Sequence, residues 1–299
     1  MKKIFVSIMV LMGMFCSANA QDFTKKLRGE IASIAKGCDG QLGVGVINLQ
    51  TGDTLTYNGN ELFPLSQTAN LPIGLLTMSI VDRQNGSLDY KVNVEAGELE
   101  QNEFSPLRNK YGTQKSQISL NELIAYMVAF DDENATDILT KQVGGMANIN
   151  TFLEEHGIKG MKIAATQKEQ NTSSAKVYDN YSTPYGMCQL LRAFNSGNII
   201  NGEAKGYFSN LLMQIPAGVY RIKSGLPEDI RLEHKTGTSA KAKNGLYAAT
   251  NDVGIFTTDS GRKIGLAVFV KDSKMSTSDR DKVISDVTKA VWNAIMGTK

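Results

Sequence analysis

Three short segments of the chain could bring polar side chains together for chemistry on a carbonyl group. They are 66–70, which reads Ser-Gln-Thr-Ala-Asn, the acidic run 131–133, and 235–239, which reads Lys-Thr-Gly-Thr-Ser. A hydroxyl nucleophile needs a base nearby to accept its proton, and side chains three positions apart lie on one face of a helix. Gln67 and Asn70 have that spacing, but an amide only donates and accepts hydrogen bonds. The first segment therefore lacks a recognisable nucleophile and base.

These three segments, in this order, resemble the S-x-x-K, S-D-N and K-T-G motifs of the class A β-lactamases. The resemblance covers nearly the whole mature chain and includes further segments: Leu62-Phe63-Pro64, Phe104-Ser105-Pro106-Leu107-Arg108, Phe130 to Leu139, Asn180-Tyr181-Ser182-Thr183-Pro184 and His234 to Ser239. A lone K-T-G would be a weak signal. The ordered set strongly indicates the family, but it does not by itself indicate activity.

The resemblance implies that four catalytic positions of the family are substituted here. With the chain aligned on Phe63-Pro64 and on Ala165-Thr166, they are Gln67 for the nucleophilic serine, Asn70 for the lysine, Asp131 for the serine that relays a proton, and Gln167 for the glutamate that activates water. Loss of the nucleophile in a comparable hydrolase lowers turnover by about 10⁶. We therefore expect β-lactam hydrolysis to be deficient.

The same resemblance implies a set of ligand-binding positions around these substitutions. They are Phe104, Glu133, Asn171, Arg221, Lys235, Thr236, Gly237, Thr238 and Ser239. In the family, Lys235, Thr236 and Ser239 correspond to residues that hold the carboxylate of a β-lactam, and Asn171 corresponds to an amide that orients a loop. Arg221 fits either a second contact to that carboxylate or a surface arginine, and the sequence leaves both open.

Charge compensation explains why the substitutions occur together. Replacing a lysine by Asn70 and a glutamate by Gln167 removes two opposite charges at once, so neither is left buried without a partner. Asp131 and Glu133 then add negative charge close to Lys235, which predicts an ion pair between Lys235 and one of them. Such a pair would compete with the carboxylate of a β-lactam.

Two hydroxyl side chains flank Gln67 and are candidates for a displaced nucleophile. Ser66 and Thr68 each lie one residue away, so each points about 100° from the Gln67 direction around a helix. Their partners three residues later are Ala69 and Leu71, which supply no base. We expect Ser66 to cap the helix N-terminus, and hydrolysis through a rearranged site is the alternative.

Composition argues against several other kinds of site. The formal net charge is +2, and the charges are scattered without the basic stripe that favours nucleic acid. The chain has 2 histidines and 3 cysteines, without the clustered spacing of a zinc site or the Gly-rich strand–helix junction of a nucleotide site. We therefore expect no metal, no cofactor and no nucleic-acid partner.

The N-terminus predicts export. A basic start at 1–3, an apolar run over 4–15 and the small-residue site Ala18-Asn19-Ala20 are typical of a secretory signal peptide of residues 1–20. No second apolar segment is long enough to span a bilayer, so we expect a periplasmic monomer. Cys38 and Cys188 are expected to be buried free thiols, because sequence separation alone gives no reason to pair them.

The hydrophobic pattern predicts an α+β fold. Helices are expected over 22–36, 66–83, 183–194 and 278–296, with two or three more within 118–155 that begin at a capping box of Ser119 and Glu122. Strands are expected over 42–49, 53–57, 230–236, 244–257 and 263–271, with a long ordered loop over 164–181. The resemblance implies a mostly antiparallel sheet, a discontinuous α/β subdomain of 21–60 and 215–299, an all-α subdomain of 61–214, and a site at their interface.

These patterns favour an exported class A β-lactamase-family protein that acts as a binding or structural module. Candidate ligands are a β-lactam, a peptidoglycan-like molecule or another small cationic molecule, the last because Asp131 and Glu133 make the cleft acidic. The alternative is an active β-lactamase that opens the lactam ring through a rearranged site.

Overall fold

The computed structural model describes residues 24–297, so the predicted signal peptide lies outside the described residues. The strands are β1 Gln41–Asn48, β2 Thr54–Tyr57, β3 Phe63–Pro64, β4 Lys91–Val94, β5 Ser116–Ser119, β6 Met161–Lys162, β7 Tyr181–Ser182, β8 Arg231–Thr238, β9 Tyr247–Thr257 and β10 Lys263–Ser273. The helices are α1 24–36, α2 Asn70–Arg83, α3 Pro106–Tyr111, α4 Leu120–Phe130, α5 Glu133–Gln142, α6 Gly145–Glu155, α7 Gln167–Gln170, α8 Pro184–Ser196, α9 Gly202–Met213, α10 Ile222–Gly225 and α11 Thr277–Gly297.

A five-stranded antiparallel sheet forms the centre of the fold, in the order β2-β1-β10-β9-β8. The hairpin of β1 and β2 turns around Thr51-Gly52 as predicted, with Val46 opposite Leu55. β1 also pairs along its whole length with β10, so the two ends of the chain share one sheet as the resemblance implied. β8 lies at the edge of this sheet and carries the Lys-Thr-Gly segment.

Helices cover both faces of the central sheet. Ile255 and Phe256 are neighbours on β9, and they belong to different buried clusters because successive side chains of a strand point to opposite faces. Phe256 packs with apolar side chains of α1 and α11. Ile255 belongs to the larger cluster, which includes side chains of α2, α4, α5, α6, α8 and α9. The burial of both faces makes the sheet a rigid support for its edge strand β8.

The helix predicted over 66–83 begins differently from the expectation. A 3₁₀ turn, Ser66–Ala69, precedes α2. Ser66 has a φ of 48°, which is the left-handed region and not the extended conformation of an N-cap residue. Its hydroxyl donates to Gln67 Oε1 at 2.8 Å, so the prediction that Ser66 caps the helix was wrong.

In the middle of the chain, the structure adds detail to the predictions for 118–155 and for the loop 164–181. Within 118–155 there are three helices, α4, α5 and α6. Ser119 Oγ accepts the Glu122 N–H, but the Glu122 side chain binds Lys110 and Tyr111 instead of completing a capping box. The ordered loop 164–181 contains α7 and a second 3₁₀ turn, Lys176–Asp179, and the capping box found there joins Thr166 and Glu169.

Cys38 and Cys188 are buried free thiols, as predicted, and burial raises the pKa of Cys188 to about 12. Among residues 24–297, no helix is both long and apolar enough to cross a bilayer. The division into subdomains at 60 and 214 stays a prediction.

Candidate active-site cleft

Three elements meet at the positions singled out by the sequence: the 3₁₀ turn before α2, the junction of α4 and α5, and the edge strand β8. Gly237 permits β8 to approach the 3₁₀ turn closely, since a Cβ at this position would lie 2.8 Å from both Leu65 O and Thr68 N. Asn251 on the neighbouring strand β9 fixes the turn by donating to Pro64 O at 2.8 Å. The glycine of the Lys-Thr-Gly segment is therefore required by backbone packing.

Gln67 lies at the contact between the 3₁₀ turn and β8. Its side-chain oxygen Oε1 accepts the backbone N–H of Thr238 at 2.9 Å and the hydroxyl of Ser66 at 2.8 Å. The Gln67 backbone nitrogen is also close, 3.0 Å from an ideal Cβ built on Gly237. Backbone N–H groups placed in this way are the donors that stabilise a carbonyl oxygen during acyl transfer. In this chain the oxygen that accepts the Thr238 N–H belongs to the side-chain amide of Gln67.

Asn70 is fully buried one turn further along. Its Nδ2 donates to Met127 O at 2.9 Å, and its Oδ1 accepts the Thr136 hydroxyl at 3.3 Å. The spacing of Gln67 and Asn70 therefore places two amides in the same region, but they bind different elements, β8 in one case and α4 with α5 in the other. Asn70 acts as a hydrogen-bonded link between helices.

Lys235 forms the predicted ion pair, and its partner is Asp131. The Lys235 side chain is fully buried, and its ammonium also donates to Thr236 O at 2.9 Å. Asp131 terminates α4 with a φ of 56°, a left-handed conformation that Asp and Asn tolerate better than most residues. This backbone geometry directs Asp131 to β8, whereas Glu133 begins α5 and binds elsewhere.

Replacing Asp131 by Asn is expected to lower the free energy of unfolding by about 2 kcal/mol, because the buried Lys235 ammonium loses its counter-charge. Asn retains the left-handed backbone preference, so the variant isolates the charge. The matched control is Asp286→Asn, which removes the partner of Lys282 in an exposed pair and is expected to cost about 0.5 kcal/mol or less. Chemical denaturation measures both; equal losses would contradict a special role for the buried pair.

Glu133 joins the rim of the cleft to the loop that follows α6. Its Oε2 accepts the Phe104 N–H and the Asn171 amide, each at 2.9 Å. Phe104 is 60% exposed, so this contact lies at the rim of the cleft. Burial raises the pKa of Glu133 in spite of these hydrogen bonds. The Asn171 amide therefore holds the loop in position by donating a hydrogen bond to the Glu133 carboxylate.

Gln167 is buried in the first turn of α7. The N–H groups of Gln167 and Lys168 donate to the two carboxylate oxygens of Asp137, at 2.7 and 3.0 Å. The sequence singled out Gln167 but gave Asp137 no role, because an acidic residue within a helix carries no local sign of a partner thirty residues away. Glu169 is exposed, and its side chain completes the capping box with Thr166.

Arg221 is buried, so the surface alternative was wrong. Its Nε donates to Asp281 at 2.7 Å, Nη1 to Asn251 O at 2.9 Å, and Nη2 to the Thr238 hydroxyl at 2.7 Å. The guanidinium therefore braces the end of β8 next to the Thr238 N–H that Gln67 binds.

The remaining site residues have structural partners. Asp132 is fully buried and accepts from Ser105 Oγ, Leu107 N and Ala135 N, so it joins the start of α3 to the start of α5. Ser239 Oγ accepts the Ala249 N–H at 3.0 Å, and Thr236 is buried. Within the described part of the chain, no group of three or more His, Cys, Asp or Glu side chains is arranged to hold a metal ion.

Comparison with known proteins agrees with this geometry. Residues 26–295 match the model of the β-lactamase enzyme family. The chain belongs to that family. A β-lactamase from Bacteroides uniformis is 31% identical over 296 residues, which cover 99% of this chain and 100% of that protein.

Two solved structures show the shared fold of this β-lactamase-family chain. A β-lactamase from Chitinophaga pinensis is 33% identical with a TM-score of 0.86, covering 90% of this chain and 99% of the other. A class A β-lactamase from Bacteroides cellulosilyticus is 30% identical with a TM-score of 0.86, covering 92% and 99%. The class A fold inferred from the motifs is therefore confirmed, while the roles of the individual site residues in this family member stay predictions.

Proposed function

We propose that this chain is an exported class A β-lactamase-family protein that does not hydrolyse β-lactams by an acyl-serine route and acts as a binding or structural module. The observation that carries the proposal is the hydrogen bond from the Thr238 N–H to Gln67 Oε1. An amide takes the place at which the family alignment puts the nucleophile, and its oxygen engages the donor that a substrate carbonyl would need.

The chemistry of acyl transfer supports this reading. A hydroxyl must lose its proton to a base as it attacks the lactam carbonyl, and the oxygen of that carbonyl must be stabilised as charge develops on it. Gln67 supplies no hydroxyl, and Asn70 is neutral and engaged with Met127 and Thr136. The residue aligned with the water-activating glutamate is the amide Gln167. The family reaction therefore lacks its nucleophile, the base for that nucleophile and the carboxylate that activates water.

The charge of the cleft favours a different ligand from a β-lactam. The Lys235 ammonium is neutralised by Asp131, and the Arg221 guanidinium is neutralised by Asp281, so an incoming carboxylate must displace an internal one. Glu133 adds a negative charge, and its carboxylate accepts the backbone N–H of Phe104, whose side chain is exposed. Carboxylates and exposed aromatic side chains are both groups that attract an ammonium. We propose a peptidoglycan-like or other small cationic ligand.

A thermal-shift experiment separates the two ligand classes. A soluble peptidoglycan peptide with a free amino group is expected to raise Tm, by an amount that grows with the logarithm of the ligand concentration above Kd, and benzylpenicillin is expected to leave Tm unchanged. The double variant Asp131→Asn, Glu133→Gln should lose most of the response to the peptide. Stabilisation by penicillin, or a peptide response unaffected by the two neutral side chains, would rule out recognition by the acidic cleft.

One observation favours the alternative of a rearranged active site. Ser66 Oγ lies 2.8 Å from Gln67 Oε1, which itself contacts the Thr238 N–H, so a hydroxyl is close to a carbonyl-binding donor. Ser66 is nevertheless 4% exposed, and its hydroxyl donates to an amide oxygen, which is not a useful base. Several relatives are named β-lactamases, including VEB-1 of Pseudomonas aeruginosa, and the alternative extends that activity to this chain.

A further inference from the structure

Four acidic side chains come together beside the cleft, and they are here called the carboxyl cluster: Glu100, Glu103, Glu133 and Asp137. Glu103 is 5% exposed. Within residues 24–297, both of its carboxyl oxygens are buried and receive no hydrogen bond. A buried carboxylate without a partner carries a large desolvation cost, so the ionised form of Glu103 is strongly disfavoured in this position.

The other members of the carboxyl cluster fasten the loop 164–172 to the helical layer. Asp137 on α5 accepts the N–H groups of Gln167 and Lys168. Glu133, also on α5, accepts the Asn171 amide. Glu100 pairs with the Lys168 ammonium. The loop is therefore docked through acidic groups, and all of them lie close to Glu103.

The surroundings of Glu103 contain more negative than positive charge. The charged groups that face it are Asp137 and Glu133 on α5, Glu100 on its own segment and Lys168 on α7, and the Arg108 guanidinium on α3 binds the backbone oxygens of Glu100 and Glu103. Lys168 is 64% exposed and already paired. Burial and the neighbouring carboxylates raise the pKa of Glu103 to about 7, and burial raises that of Asp137 to about 6.

We propose that the carboxyl cluster is a pH-sensitive latch: a proton held on Glu103 keeps the loop 164–172 docked on α5, and loss of that proton loosens the loop. The device rests on the geometry of Glu103, Asp137 and Glu133 and is independent of any ligand or activity of the cleft. Glu133 binds both the loop, through Asn171, and the Phe104 N–H at the rim of the cleft. Loosening of the loop should therefore also change the position of the rim.

The direction of the pH dependence follows from proton binding. When the loop leaves α5, Glu103 and Asp137 become hydrated and their pKa values fall towards those of ordinary carboxyl groups. The docked form then binds more protons than the open form between about pH 4.5 and the raised pKa of Glu103, about 7. Docking is therefore strongest below that window and weakens as the pH rises through it.

Hydrogen exchange of the loop amides tests the latch in the whole protein. After correction for intrinsic exchange rates, the protection of the Gln167 and Lys168 amides should fall by about tenfold or more between about pH 5 and about pH 8. In Glu103→Gln, which carries no ionisable group at this position, most of that change should disappear. The control Glu154→Gln alters an exposed glutamate on α6 and should keep the full dependence.

Two results would overturn the latch: protection in the natural chain that does not change with pH, or a Glu103→Gln variant that retains the whole change. A ¹³C titration of the Glu103 carboxyl in the natural chain provides a test that needs no variant to fold. A midpoint near neutral pH supports the latch, and a midpoint below about 5 excludes it.

Discussion

Purified residues 21–299 are expected to leave a chromogenic cephalosporin unhydrolysed, with turnover about 10⁶-fold or more below that of a serine-containing relative. The reason is the set of substituted positions: Gln67 has no hydroxyl, Asn70 is no base, and Asp131 is committed to Lys235. Intact-mass measurement after incubation with the cephalosporin should show no covalent adduct.

The double variant Gln67→Ser, Asn70→Lys sharpens this comparison. It restores a hydroxyl and an amine one helical turn apart, and it removes the amide oxygen from the Thr238 N–H. We expect slow formation of an adduct of one cephalosporin mass, followed by little turnover because Gln167 cannot activate water. The matched control is Gln67→Gly, which frees the Thr238 N–H without supplying a nucleophile and should form no adduct.

Turnover by the natural chain above that of a buffer control would contradict the proposal that the chain does not hydrolyse β-lactams. Peptide mapping of the adduct would then identify the nucleophile, and Ser66→Ala and Thr68→Ala would test the two nearby hydroxyls. If neither substitution changed the turnover, the rearranged-site alternative built on these hydroxyls would be excluded as well, and the search would move to hydroxyls outside the turn.

Replacing Arg221 by Met is expected to lower the free energy of unfolding by about 3–5 kcal/mol. Arg221 and Asp281 form a buried pair whose side chains are 8% and 12% exposed. Methionine leaves the Asp281 carboxylate buried without its counter-charge, and it also removes the donors to Asn251 O and Thr238 Oγ1. The end of β8 should therefore become less ordered.

Two controls isolate the cause of that loss. Lys282→Met removes a cation from an exposed pair, in which the lysine is 69% exposed, and should cost about 0.5 kcal/mol or less. The double variant Arg221→Met, Asp281→Leu removes both buried charges and should recover much of the lost stability. Denaturant titrations give all three values; a double variant no more stable than Arg221→Met would show that the lost hydrogen bonds dominate over the unpaired charge.

The parts of the site that could be predicted are those that depend on the spacing of residues within short motifs. The three motifs and the matching segments around them, taken in order, were enough to infer the class A fold. The glycine at 237 follows from a strand that must touch the turn before α2. The choice between Asp131 and Glu133 as the partner of Lys235 was not available from spacing. It depends on the left-handed backbone of Asp131 at the end of α4, which directs one carboxylate to β8 and leaves the other on α5.

Side chains without a motif were the ones that sequence reasoning missed. Glu103 lies in a loop, and no local pattern distinguishes it from a solvated glutamate, yet packing of the helical layer buries both of its oxygens. Asp137 likewise acquires its role only when the loop 164–172 folds back onto α5. Ser66 was assigned a cap from its residue type, but the positive φ at this position redirected its hydroxyl.

By itself, the sequence determined the identity of the family and many of the helices and strands, though not α9 or the pair β4 and β5, because hydrophobic spacing and ordered motifs are properties of neighbouring residues. It also determined that amides stand where the family alignment places a nucleophile and bases. Only the tertiary structure decided which polar groups meet: Gln67 with Thr238 across 171 positions, Lys235 with Asp131 across 104, and Arg221 with Asp281 across 60. The physical reason is that these contacts are set by the packing of whole helices against a sheet, and hydrogen bonds and ion pairs form only over a few ångströms.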